Sequence, residues 1–161
     1  MRCHWSRFEY TLSGKWLELL RQIAPGVTRM AVLRDPTITD GIGQFVVIQS
    51  VAPSLGLEVS AINVREAGEI EQAVTAFARS SNGGLVVVAS ALATVQRALL
   101  IELAARHRLP AVYSERTFVA GGGLISYGAD HRGVSARSRL CRSHPQGREA
   151  SRPTGASADQ V

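Results

Sequence analysis

The sequence has 161 residues, 45% hydrophobic and 19% charged, with a net charge of +5. That length and balance suit one soluble globular domain. The positive charge does not mark a nucleic-acid surface. Residues 1–130 hold 12 Lys+Arg against 11 Asp+Glu, and the excess lies in the six arginines of residues 131–161, so no basic stripe falls on a patterned face.

Cys3 and Cys141 lie outside the patterned region and neither sits in a CxxC. No disulfide framework and no zinc site is expected from them. The N-terminus, MRCHWSRFEYTL, has no apolar core of a secretory signal. No apolar run approaches the roughly 18 residues that cross a membrane. Read as it stands, without such a leader, the chain is expected in the cytoplasm.

Taken in order, the elements alternate. Ser13 is expected to cap a helix whose apolar face carries Trp16, Leu20 and Ile23, with Pro25-Gly26 ending it. Arg29–Leu33 is a short buried strand. Thr39 or Asp40 caps a second helix with Phe45, Ile48, Ala52 and Leu55 on one face. Pro53 kinks its last turn and Gly56 closes it. Leu57–Val64 has polar residues at 58, 60 and 63, the pattern of an edge strand. Ile70, Ala73, Val74 and Phe77 mark a third helix. Leu85–Ala89 is apolar throughout, as a central parallel strand covered on both faces should be. Val95, Leu99 and Leu103 mark a fourth helix to about His107. Ala111–Tyr113 and Leu124–Ser126 are further strands, with a short loop or helix between them.

This alternation predicts an α/β fold, a flavodoxin-like three-layer αβα sandwich on a parallel sheet of about five strands. The edge-like second strand and right-handed crossovers favour the order 2-1-3-4-5. In such sheets ligands bind beyond the C-terminal ends of the strands. Residues 1–12 read as an N-terminal extension and 13–130 as the α/β ligand-binding lobe. Residues 131–161 lack aromatic residues and are rich in Arg, Ser, Gly and Pro, so they are expected to be a disordered basic tail.

Several chemistries find no support. Gly121-Gly122-Gly123 lacks phosphate-loop spacing and reads as a turn. His4, His107, His131 and His144 have no metal-ligand spacing. No GxSxG elbow is present, so no catalytic residue, no metal and no cofactor is expected. Trp16 reads as a core or lobe-interface residue and not as a ligand platform.

Four segments together resemble a known family. SGKWLELLRQIAPGVTRMAVLRDP (Ser13–Pro36) is similar to the opening of the second lobe of ABC transporter substrate-binding proteins of the tryptophan/tyrosine type. IGQFVVIQSVAPSLGLEV (Ile42–Val59), IEQAVTAFARSSNGGLVV (Ile70–Val87) and LAARHRLPAVYSERTFVAGGGLISYGAD (Leu103–Asp130) continue the likeness in order. The resemblance implies one lobe of a type 1 periplasmic-binding fold. It further implies a small polar or amino-acid-like solute, an ABC permease as partner, a periplasmic location and no chemistry. Relative to that family the first lobe, the leader and the return segment after Asp130 are not recognised. The change of composition there suggests a frameshifted reading of the gene. The exposed lobe face leaves a homodimer open.

The resemblance places the ligand contacts just after the strand ends. These are Asp35 and Thr37, then Ser90 and Ala91, then Tyr113, Ser114 and Arg116, and finally Tyr127 and Asp130. Aspartate suits an ammonium, serine or arginine a carboxylate, tyrosine stacking or hydrogen bonding. The plainer reading makes several of them loop caps, Asp35 before Pro36 above all. Two rivals stand beside the receptor. One is a free-standing nucleotide-binding or signalling domain, which the single acid after the first strand disfavours. The other is a truncated remnant without function.

Overall fold

The computed structural model describes residues 6–128 and the pair 135–136. Its elements are α1 (Ser6–Ile23), β1 (Arg29–Arg34), α2 (Thr39–Val51), β2 (Glu58–Asn63), α3 (Ala67–Ala78), β3 (Gly83–Val87), α4 (Ala91–Val95), α5 (Arg97–Arg106), β4 (Ala111–Tyr113), α6 (Arg116–Ala120), β5 (Ile125–Ser126) and β6 (Ser135–Ala136). The strands form one sheet in the order β2-β1-β3-β4-β5-β6. The first five run parallel, which is the predicted α/β order, and β6 pairs antiparallel with β5. The sequence reading placed no strand at Ser135–Ala136, where two residues are too few to show a period.

Period-two alternation along the strands divides the core into two layers. Met30, Val32, Val86, Val88, Val112 and Ile125 face α1 and α2, meeting Trp16, Leu17, Leu20, Phe45 and Ile48. Ala31, Leu33, Leu85, Val87, Ala111 and Tyr113 face the opposite way, meeting Ile70, Val74, Leu100, Leu103 and Phe118. The strand β3 is buried at every residue and lies centrally. It starts two residues earlier than expected, because Gly83 and Gly84 already pair with β1. A Cβ on Gly84 would lie 2.7 Å from Leu20 Cδ2, and one on Gly83 would lie 2.8 Å from Phe77 Cε1. Two glycines therefore let α1 and α3 press onto opposite faces of the same strand. β2 is an edge strand and half of its residues are exposed, in keeping with its polar pattern.

Four local expectations are corrected. The helix α1 begins at Ser6, across the boundary drawn at residue 12, so Ser13 is not its cap. Ser13 lies on one stripe with Trp16, Leu17 and Leu20 and is fully buried. Ile23, placed on that face, is 36% exposed at the helix end. The cap residue of α2 is Ile38, which offers no side-chain bond, and neither Thr39 nor Asp40 takes the role. The fourth helix is two helices broken at Gln96, and Val95, expected on its apolar face, is 77% exposed.

The expectations for Pro53, Gly56 and Trp16 hold. Pro53 lies in a 3-10 turn, Ala52–Leu55, that ends α2, and Gly56 closes it in the left-handed conformation. Trp16 is 2% exposed within the core. Among the described residues no helix is long and apolar enough to cross a membrane.

Candidate functional site

The site follows from where the parallel strands end. Backbone bonds continue past the strand ends: Val88 N–H donates to Leu33 at 3.1 Å, Ser114 N–H to Val87 at 3.1 Å and Tyr127 N–H to Tyr113 at 2.9 Å. Each loop therefore leaves the sheet on a fixed path, and its first side chains share one edge.

At the β1 end, Asp35 Oδ1 accepts from the Thr37 backbone N–H at 2.8 Å and from its hydroxyl at 2.6 Å. This is an Asx turn, in which a side-chain acceptor replaces a backbone one. The Thr37 hydroxyl and amide hold the Asp35 carboxyl below its ordinary pKa. Beside it, Arg34 Nε donates to Asn63 Oδ1 at 2.8 Å and its guanidinium lies 4.6 Å from the centre of the Phe45 ring. The arginine thereby ties β1 to β2 and α2 at the rim.

At the β3 end, Ser90 caps α4, its Oγ accepting from Ala93 N–H at 3.1 Å. Ala91 is exposed and brings only backbone polar groups. At the β4 end, the Ser114 hydroxyl is buried without a hydrogen-bond partner among the described residues. Arg116 is exposed at the start of α6. Tyr127 is half-buried against the α1 layer, and its carbonyl accepts from the Trp16 indole.

Tyr113 is a correction. The sequence places it at the edge, but it is 1% exposed and its ring stacks on Phe118 at 4.7 Å. Alternation turns Val112 toward α1 and Tyr113 toward α6, into the core, and burial pushes its phenol pKa up. Asp130 lies outside the described residues. The structure therefore brings Asp35, Thr37, Ser90, Ala91, Ser114, Arg116 and Tyr127 to one end of the sheet.

Two residues at this edge escaped the sequence reading. Glu115 is the cap residue of α6, yet its carboxylate makes no cap bond. It lies 3.4 and 3.5 Å from the Thr94 hydroxyl and 3.3 Å from the Thr117 hydroxyl. The one available signal was its place in the Ser-Glu-Arg turn, between two residues already selected. Thr94 had none, since it becomes relevant only once α4 is separated from α5.

A separate concavity of about 470 Å³ lies at the other end of the sheet, where α5 meets the starts of β4 and β5. Ala24, Ile101, Ala104, Leu109 and Pro110 line it with one cation, Arg108. Its apolar walls lack convergent polar groups, so the C-terminal edge remains the candidate. Among the described residues no three His, Cys, Asp or Glu side chains come together to hold a metal.

The doubly wound parallel sheet has the fold of one lobe of a type 1 periplasmic-binding protein. The chain belongs to the family of ABC transporter substrate-binding proteins, which it matches over residues 10–138, past the boundary expected at residue 130. Solved structures agree in fold. A domain from Streptococcus pneumonia in complex with L-Trp is 20% identical, with a TM-score of 0.67 over 73% of this chain and 40% of that one. A ligand-free, open substrate-binding protein with adhesive properties from Clostridium difficile is 21% identical, with a TM-score of 0.64 over 71% and 38%. A conserved domain protein from Vibrio cholerae is 17% identical, with a TM-score of 0.64 over 72% and 39%. The chain thus spans about two fifths of the length of these proteins. Among curated proteins none matches it in sequence.

Proposed function

We propose that this chain supplies a ligand-binding lobe of an extracytoplasmic solute receptor that serves an ABC permease. Its solute is small and polar or amino-acid-like, and it is captured without covalent chemistry. The observation that carries the reading is the convergence of Asp35, Ser90, Ser114 and Glu115 on one edge of a parallel sheet. The buried Ser114 hydroxyl, without a partner among the described residues, supports it further, since such a group costs about 1–3 kcal/mol until something hydrogen-bonds it. Family membership favours a binding role over an enzymatic one.

One lobe offers one wall. Small-molecule sites bury roughly 70–90% of their ligand, so this lobe alone should bind weakly. A second lobe or a second copy of the chain, facing the same edge, would complete the clamp by domain closure. A thermal-shift screen against amino acids, short peptides, sugars and nucleotides tests the reading. A rise with amino acids or peptides supports it. A rise confined to nucleotides or Mg²⁺ rejects it in favour of a nucleotide-binding domain.

A further inference from the structure

The concavity of about 470 Å³ at the other end of the sheet has no part in the receptor reading. Its volume falls within the roughly 300–1,000 Å³ of small-molecule sites. Ile101 and Ala104 of α5, with Leu109, Pro110 and Leu124, give it apolar walls, and Leu124 is left 42% exposed. The turn Gly122-Gly123 also lines it. A Cβ on Gly123 would lie 2.7 Å from Tyr113 Cε2, so only glycine lets the turn lie this close to the ring. Among the described residues that line the concavity, Arg108 alone is charged. It is exposed and belongs to none of the ion pairs among the described residues.

Arg108 also stands where the backbone favours a different residue. Beyond the cap residue His107, α5 closes with Leu109 N–H donating to Ala104 at 2.9 Å and Arg108 N–H to Ala105 at 3.2 Å. Such a closure puts one residue in the left-handed region, where glycine is the usual occupant. Here that residue is Arg108, with φ 53°. Asn82, the other non-glycine residue of positive φ among the described ones, is of a type that tolerates the conformation. An arginine costs stability there, and no ion pair among the described residues offsets it.

We infer that this concavity is a second binding site, for an apolar monocarboxylate whose chain lies on the α5 wall and whose carboxylate meets Arg108. An apolar body with one anionic end matches apolar walls with one cation. The six arginines of residues 131–161 make that segment a poor occupant, since they would bring like charge to Arg108.

The test is a titration of the ¹⁵N-labelled full chain followed by NMR, with octanoate, octanol and octylammonium at millimolar concentration. Octanoate should shift the amides of Ala105, Leu109 and Gly123. It should bind about three- to fivefold tighter than octanol, the range of an exposed charge pair, and octylammonium should bind more weakly than either. Arg108→Gly should erase the octanoate preference and raise the melting temperature by a few degrees, because glycine relieves the backbone. A residue that only closes the helix would give the second effect without the first. Leu124→Ser should weaken octanoate and octanol alike. Equal binding of the three probes to the unaltered chain overturns the inference, as does an octanoate preference that survives Arg108→Gly. Shifts of these amides on dilution of the chain alone, with no response to octanoate, assign the groove to a second copy and also overturn it. The amides of Thr37 and Ser90, at the opposite end of the sheet, report on the receptor reading separately.

Discussion

The indole N–H of Trp16, in the first helix, donates to the backbone carbonyl of Tyr127, 111 positions along the chain. The bond fastens α1 to the loop after the last parallel strand, so it holds the candidate edge in place from below. Trp16→Phe keeps an aromatic ring in the core but removes the donor. The Tyr127 carbonyl, partly buried, is then left without that partner. A loss of about 1–3 kcal/mol is expected, read as a lower urea midpoint with an unchanged slope. An unchanged midpoint would show that the bond contributes nothing net.

Gly84→Ala tests the closest approach of a helix to the sheet. The new methyl would meet Leu20 Cδ2 at 2.7 Å and Val27 Cγ1 at 3.2 Å. Overpacking of this kind costs about 1–3 kcal/mol. Adding Leu20→Ala should recover part of that loss, because the cavity it leaves accepts the methyl. Strict additivity of the two losses in a denaturation cycle would contradict the contact.

Ser90 separates a structural role from a ligand-binding one. Its hydroxyl accepts from Ala93 N–H, so Ser90→Ala should cost about 1 kcal/mol of stability. Ser90→Asp, which keeps a capping acceptor, should restore most of it. If Ser90→Ala leaves thermal unfolding unchanged, the hydroxyl is not committed to the cap and is free for a ligand.

The Asp35 turn responds to acid with a definite sign. The folded state holds the carboxyl below its ordinary pKa of 3.8. Its contribution is therefore complete above that value and disappears as pH falls through the lower, folded one. The Thr37 amide resonance should stay constant from neutral pH to about 4 and move only below it. Asp35→Asn keeps an acceptor and should abolish that movement. A midpoint above the ordinary value would contradict the turn geometry.

Long, strongly patterned segments were legible in the sequence. The Ile70–Phe77 face became α3, the polar alternation of 58, 60 and 63 placed β2 at the rim, and the apolar run after Gly84 marked the central strand. Short segments were not. The strand β4 has three residues, too few for a period to tell which side of the sheet Tyr113 faces, so a core ring passed for an edge one. The break at Gln96 left Val95 on no apolar face because four helical positions read alike in one helix or two. At the site, Asp35 and Ser90 could be selected from their place after strands. That both oxygens serve their own turns depends on backbone geometry that residue types do not encode. Glu115 shows the opposite case, a residue at a cap position whose carboxylate makes no cap bond and meets the Thr94 and Thr117 hydroxyls instead.

The contact between Leu20 and Gly84 also orders events during synthesis. β1 lies between β2 and β3, so its second neighbour is not made until the chain has passed residue 83. Until then the face of α1 that carries Trp16 and Leu20 lacks the part of its floor that β3 supplies. Non-local pairing of this kind slows folding and leaves apolar surface uncovered in the meantime. The helix α1 is thus made well before the strand that completes its packing, and a chaperone encounter would fall on the interval between residues 20 and 84.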